Sequence, residues 1–436
     1  MTQTNSDKQH ETTKIVEKDN WKALAPMGIA FGMGTFNDNF FKQTALLLSA
    51  SSGFADIQTS ATILFALPFV LCSTWAGWLA DKISKQTIVV WAKFLELIAM
   101  LIGAVSFYHA NWNGVMAVIF IMGLQSTIFS PALNGSIPDN FRRETVPTVN
   151  AILKLFTTVT ILIGIALSGI SLDLHAPESF AFLNEYVNME LFGILTVAII
   201  AVSMALIGFI ATLFLKRIPN THPTQAKFPL WGFIDSVRHF VFFYKKDPKL
   251  FAAISVEAFF YFIATIAVLL INNLGLNELG FSKTKTSLMP VSLMVGICLG
   301  SFIARKCLPS KWYSYAVPAG FIMGISLLFI PLIQLVTPDT AFFYTLLVFS
   351  VTGVAAGAYL IPAVSFIQVR PSPDSRGKTL GCSNFTSFVA IMFAGVVFLP
   401  LATLLPSTAL LVCGIFALIF ITSVKAFLKY KSHTHS

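Results

Sequence analysis

The chain has 436 residues, 56% hydrophobic, 13% aromatic and only 11% charged, with a mean hydropathy of +0.76. A soluble domain carries about 25% charged residues, so this chain has too little polar surface to cover a globule in water, and a bilayer must be its solvent. A net charge of +9 would suit nucleic acid, but the basic residues fall in short connections on one side, and no nucleic-acid partner is expected.

Residues 1–21 are polar and lack the apolar core of a cleavable signal peptide; they are expected to form a flexible cytoplasmic tail. About 20 apolar residues cross a bilayer as a helix. By that measure spans are expected near 23–50, 57–80, 87–109, 113–137, 146–172, 189–215, 250–273, 285–304, 313–336, 340–362, 379–400 and 406–428. Twelve is an even number, so both termini lie on one side. Of the 29 Lys and Arg residues, 24 fall in the tail and the even-numbered connections, whereas the opposite loops hold Lys283 and Lys285. The positive-inside rule then makes both termini cytoplasmic.

Between the second and third spans stands Gly77-Trp-Leu-Ala-Asp81-Lys82-Ile-Ser-Lys85. Gly77 permits close helix approach, and Asp81 at a helix end can accept from basic groups or from the amides opening a neighbouring helix. Lys82 and Lys85 face the inner leaflet. Such a cluster can latch the two halves together, with Arg142, Arg143 and the start of span eleven after Arg376-Gly377-Lys378 as partners for Asp81. The stretch resembles the loop 2–3 signature of the major facilitator superfamily, which implies an all-α fold of 12 transmembrane helices in two six-helix bundles. The C-terminal counterpart, Gly300 to Lys306, lacks the acid, so the latch is expected to be asymmetric.

The longest polar connection, 216–249, separates a 22–215 bundle from a 250–430 bundle. Within it Leu230, Phe233, Ile234, Val237, Phe240, Val241 and Tyr244 recur at helical spacing, the pattern of an amphipathic helix on the membrane surface. The halves echo each other: Pro131-Ala132 closes span four before Asn150 opens span five, and Pro362-Ala363 closes span ten before Asn384. A 6+6 repeat of this kind is expected of the fold.

Ionisable residues inside spans are costly and mark function. Asp38 and Lys42 share one face of span one, Lys93 and Glu96 one face of span three, and Lys154 and Glu257 stand in spans five and seven. Lys93 and Glu96 are expected to neutralise each other. Asp38 is expected to face a central cavity, with Asn37 and Asn39 widening a polar patch around it. Asp38, Lys154 and Glu257 together could hold a zwitterion or relay a proton.

"FNDNFFKQ" at the first span, "GWLADKISKQ", "FSPALNGSIPD" and "GAYLIPAVSFIQVRPSPDSRGKTLGCSN" resemble the lysophospholipid transporter family, including the transporter part of fused acyl-carrier-protein–phospholipid acyltransferases. The resemblance implies movement of lysophospholipids from the outer to the inner leaflet of the bacterial inner membrane, and a contact between Asp38 and a cationic headgroup amine. The chain departs from the family's pattern at Leu133-Asn134-Gly135, where a basic site is lost, and at Lys154, where an acid is usual. Asn134, Asn150 and Asn384 complete the candidate substrate contacts. The alternative is a proton-coupled exporter of drugs or metabolites, using Asp38 or Glu257.

An enzyme is not expected, because none of the seven histidines has an Asp five residues on, as a lipid acyltransferase would require. No phosphate-binding loop is present, so ATP is not expected as the motor. The cysteines Cys72, Cys298, Cys307, Cys382 and Cys413 have no metal-ligand spacing, and neither a metal nor another cofactor is expected. An acyltransferase acting on the delivered lipid would be a separate chain, and the carrier is expected to be a monomer.

Overall fold

The computed structural model describes residues 18–142, 144–177, 191–216 and 228–434. The tail over 1–17, Arg143 and part of the central connection lie outside the described residues. Thirteen α-helices are described: α1 (Trp21–Ser51), α2 (Ala55–Lys82), α3 (Lys85–Tyr108), α4 (Trp112–Asn140), α5 (Val146–Leu172), α6 (Phe192–Leu213), α7 (Gly232–Lys246), α8 (Pro248–Asn273), α9 (Lys283–Ala304), α10 (Trp312–Leu328), α11 (Pro338–Val369), α12 (Pro373–Leu401) and α13 (Pro406–Thr434). Eleven stretches are long and apolar enough to cross a membrane, and α1 is not among them. Its own sequence explains that, since Asn37, Asp38, Asn39, Lys42 and Gln43 interrupt an otherwise apolar helix of 31 residues.

Helices α1–α6 and α8–α13 form two sets with matching neighbours. In the first, α1 packs on α5 and α6, α4 on α2 and α3, and α3 on α6; in the second, α8 packs on α12 and α13, α11 on α9 and α10, and α10 on α13. Each of these contacts in one set has its counterpart in the other. The sets meet through α2 against α12 and α5 against α9, which exchange under the same correspondence. The equivalence of Pro131 and Pro362 holds locally: both lie inside helices, and Ala132 and Ala363 after them are fully buried.

Close packing explains the strongest of these contacts. Gly296 and Gly300 on α9 face Gly353 and Gly357 on α11, so that a Cβ at any of the four would run into the partner helix's backbone. Small residues four apart on both helices let the backbones approach in this way.

Spans nine, ten and eleven differ from expectation where prolines stand. Span ten continues through Pro362 to Val369, and span eleven starts at Pro373 rather than 379. Proline at the first helical position needs no amide partner, so the "RPSPDSRGK" stretch opens a helix instead of forming a loop. Span nine stops as α-helix at Leu328 and continues as a 3-10 turn, Ile330–Leu335, around Pro331.

Helix α7 divides its apolar residues between two surfaces. Phe243 is buried, while Val237, Val241, Phe242 and Tyr244 are exposed. Trp75 donates to the carbonyl of Pro229, the Cys382 thiol to that of Ser236, and Gly232 lies against Thr74. The α7 segment therefore packs on α2 and α12 at the end of the molecule where α2, α4, α9 and α11 finish beside Lys82, Arg142, Arg305 and Arg370, called the basic end below.

Candidate functional site

Asp38 lies on α1, half-buried. Its Oδ2 accepts from the Ser126 hydroxyl of α4 at 2.6 Å, and its Oδ1 is buried without a partner. Lys42, one turn on, does not neutralise it. Among the described residues the two form no ion pair, and the Lys42 ammonium instead lies over the Phe65 ring of α2, 4.7 Å from its centre. A cation over a ring face is favoured by about 0.5–2 kcal/mol, enough to hold the lysine but not to satisfy the acid.

The neighbouring asparagines do not widen a polar patch as expected. Asn37 is fully buried and donates to Glu96 Oε1 at 3.0 Å. Asn39 folds back to donate to the Thr35 carbonyl of its own helix at 2.8 Å. Lys93 and Glu96 do pair, at 2.6 Å, with side chains 0% and 1% exposed. Their place is not peripheral, because Glu96 also accepts from Gln125 of α4 at 3.1 Å and the Lys93 ammonium lies over Phe129. A carboxylate with three donors is well satisfied.

Asp38, Lys154 and Glu257 are not brought together. Glu257 on α8 accepts from Ser383 of α12, within the second bundle. Lys154 is exposed on α5, as are Asn150, Asn134 on α4 and Asn384 on α12, and among the described residues Lys154 forms no ion pair.

The polar contacts between bundles cluster at the end opposite the basic one. Gln43 and Asn272 bond through their amides at 2.8 Å, Asn273 donates to Gln58 at 2.9 Å and Thr59 to the Gly395 carbonyl at 3.0 Å. Asp173 accepts from the Thr284 amide at 2.7 Å, and Asn277 donates to the Ala50 carbonyl at 3.2 Å. Midway along the helices, Phe69 and Phe388 stack at 4.0 Å and 5°. Gln43 is five residues past Asp38, about 7.5 Å along the helix, so the acid sits just inside this seal. At the basic end a Cβ on Gly77, Gly377 or Gly381 would meet nothing within 4 Å. Gly77 is therefore not a close-packing site in this state, and the bundles diverge there.

Two of the expected latch residues, Lys85 and Lys82, are engaged within their own bundle. Lys85 bonds Asp139 and the Gly135 carbonyl, both at 2.8 Å, and Lys82 lies over Trp78. Arg142, expected beside Asp81, instead holds Asp19 through its side chain at 3.1 Å and through its backbone amide at 2.8 Å. The Arg142 amide, ahead of the side-chain bonds, holds the Asp19 carboxyl below its usual range. Arg376 is exposed.

Sequence reasoning missed Ser126, Gln125, Gln43 and Asn272. Each is a polar residue within an apolar helix, which is the signal that could have found them.

The chain matches the model of the Major Facilitator Superfamily over residues 24–395. It is 22% identical over 382 residues to the lysophospholipid transporter LplT of Citrobacter koseri, covering 86% of this chain and 85% of that one. It is 23% identical over 373 residues to that of an Enterobacter species, covering 83% of each. Among solved structures it is similar to a bacterial homologue of the human lysosomal transporter Spinster in an inward-facing, unoccupied conformation. The TM-score there is 0.67 with 16% identity, covering 93% of this chain and 95% of the other. A POT family transporter in complex with 5-aminolevulinic acid gives 0.67 with 12% identity, covering 95% and 98%. The match across most of its length, the paired six-helix sets and the membrane-spanning helices together place this chain in the major facilitator superfamily.

Proposed function

We propose that this chain is an alternating-access carrier that moves lysophospholipids from the outer to the inner leaflet of the bacterial inner membrane. Its basic end faces the cytoplasm, it works as a monomer, and a separate acyltransferase chain re-acylates what it delivers. The observation that carries the reading is the unpartnered Oδ1 of Asp38. A buried carboxylate oxygen without a donor is costly, and a guest with an ammonium headgroup would supply the donor that Lys42 withholds. The named LplT relatives support the lipid substrate. The exposure of Ile152, Leu155 and Phe156 beside Lys154 on α5 suits a guest whose acyl chain stays in an apolar environment while its head enters.

The test is uptake of labelled lysophosphatidylethanolamine by liposomes containing the purified protein. Uptake that Asp38→Asn abolishes supports the reading. Undiminished lipid uptake in that variant, together with loss of proton-driven efflux of small molecules, would favour an exporter and overturn it.

A further inference from the structure

The contacts of Ser126 pose a hydrogen-counting problem. Its Oγ lies 2.6 Å from Asp38 Oδ2 and 3.0 Å from Gln125 Oε1, and both are acceptors. A serine hydroxyl has one hydrogen to give. Turning the Gln125 amide over would not help, because its nitrogen donates to Glu96 Oε2. Flipping it would set a carbonyl oxygen against a carboxylate already paired with Lys93. The amide orientation is therefore fixed by Glu96, and Ser126 can serve Asp38 or Gln125, not both.

A new donor at Asp38 resolves the conflict. Oδ1 is buried and unpartnered, and an ammonium that reaches the carboxylate relieves Ser126 of that acceptor. The hydroxyl can then turn to Gln125 Oε1. The charged groups acting on Asp38 are Glu96 and Lys93 of α3 and Lys42 of its own helix, and Lys42 is held by Phe65. The Lys93–Glu96 pair lies at the far side of Gln125.

We propose that Ser126 and Gln125 are positioning residues that report the loading of Asp38 by a cationic headgroup to the buried Glu96–Lys93 pair. Unloaded, Ser126 is spent on Asp38 and Gln125 Oε1 lacks its hydrogen. Loaded, an unbroken run of bonds joins Ser126, Gln125, Glu96 and Lys93, while Asn37 ties α1 to the same carboxylate. Loading therefore exchanges the direct α1–α4 bond of Asp38 and Ser126 for a bond within α4, and leaves α1 and α4 joined through Glu96 of α3 at the moment when the bundle must rock. The inference rests on the headgroup reading above. It adds two residues that act on the rate of movement rather than on the grip.

The experiment measures initial rates of lysophosphatidylethanolamine uptake against its concentration, using the full chain in liposomes. Ser126→Ala should lower the maximal rate about tenfold, the factor for one hydrogen bond of ordinary net worth, and leave the half-saturating concentration within about twofold of the parent. Ser126→Thr keeps the hydroxyl and should restore the rate. Gln125→Leu should cost a similar factor, and the double variant little more than either single one, since the two act in one chain. Should Gln125→Leu not fold, the alanine and threonine variants decide alone. A raised half-saturating concentration at unchanged maximal rate in Ser126→Ala, additive losses, or a threonine variant as slow as the alanine one would each overturn the proposal. Absence of lipid uptake by the parent protein would overturn the substrate reading and this inference with it. Parental uptake with any of the other results overturns only this inference.

Discussion

Asp38 and Lys42 lie one helical turn apart on α1, opposite in charge, and do not pair: the acid accepts from Ser126, and the ammonium sits over the ring of Phe65. At this spacing an ion pair is the ordinary outcome. Its absence leaves a negative oxygen inside the protein with no permanent donor. Asp38→Asn should therefore leave the melting temperature of the detergent-solubilised protein unchanged or raised, because it removes an under-satisfied charge, while uptake of amine-bearing lysolipid falls at least about tenfold. A clear fall in melting temperature with normal uptake would show that the acid is structural.

Lys93 and Glu96 call for the opposite result. Both are fully buried and meet at 2.6 Å. Lys93→Met leaves Glu96 charged and buried with only neutral donors, a loss of about 3–5 kcal/mol for a broken buried pair. Replacing both by methionine removes the charge as well as its partner and should recover much of that loss. Thermal unfolding of the single and double variants checks the order. A double variant less stable than the single one would mean that the pair contributes more than mutual neutralisation.

Gly77 tests whether the basic end must close. In this state a Cβ at Gly77 meets nothing within 4 Å, so Gly77→Leu has room and gains about 1 kcal/mol in helix propensity. Expression and melting should be normal or better. If the cycle brings α2 against a neighbour at Gly77, the leucine will block that approach and uptake will fall several-fold. Normal uptake would mean that the glycine face is never covered.

Much of the fold was legible in the sequence because span length and the distribution of basic residues are set by the bilayer itself. The twelve expected spans each have a helix, although "RPSPDSRGK" opens α12 rather than forming a loop, since proline suits a first helical turn as well as a bend. The site was less legible. Asp38, Lys93 and Glu96 stood out as charges in apolar helices, but which of them pair depends on helix rotation. Spacing put Lys42 on the face of Asp38 without saying what holds the lysine, which is the ring of Phe65 on another helix. Asn37 and Asn39 flank the acid in sequence yet point elsewhere, because adjacent helical positions face about 100° apart. Ser126 and Gln125 are ordinary residues whose meaning comes only from the contact of α4 with α1 and α3.

The seal opposite the basic end gives a prediction in pH. Asp173, just past the end of α5, accepts from the Thr284 amide at 2.7 Å. Burial pushes its carboxyl up, but the bonds from the Thr284 hydroxyl and amide and from Ser282, with the charge of Lys283, outweigh this and hold it below the usual value. A group lowered in this way contributes its full stabilisation above its unfolded pKa of about 3.9 and loses it as pH falls through the lower folded value. The seal should therefore be indifferent to pH between about 5 and 8 and weaken only in stronger acid. A single cysteine at Ser287, buried where α9 meets α5, in a chain otherwise free of cysteine, reports opening through its rate of alkylation. Divided by the rate of an exposed cysteine at the same pH, which removes the thiolate's own pH dependence, that rate should be flat over this range and rise a few-fold in Asp173→Ala at every pH, since the variant removes the acceptor rather than its charge alone. A normalised rate that climbs from pH 7 to pH 5 in the parent would mean that another group, titrating nearer neutrality, holds the bundles together at this end.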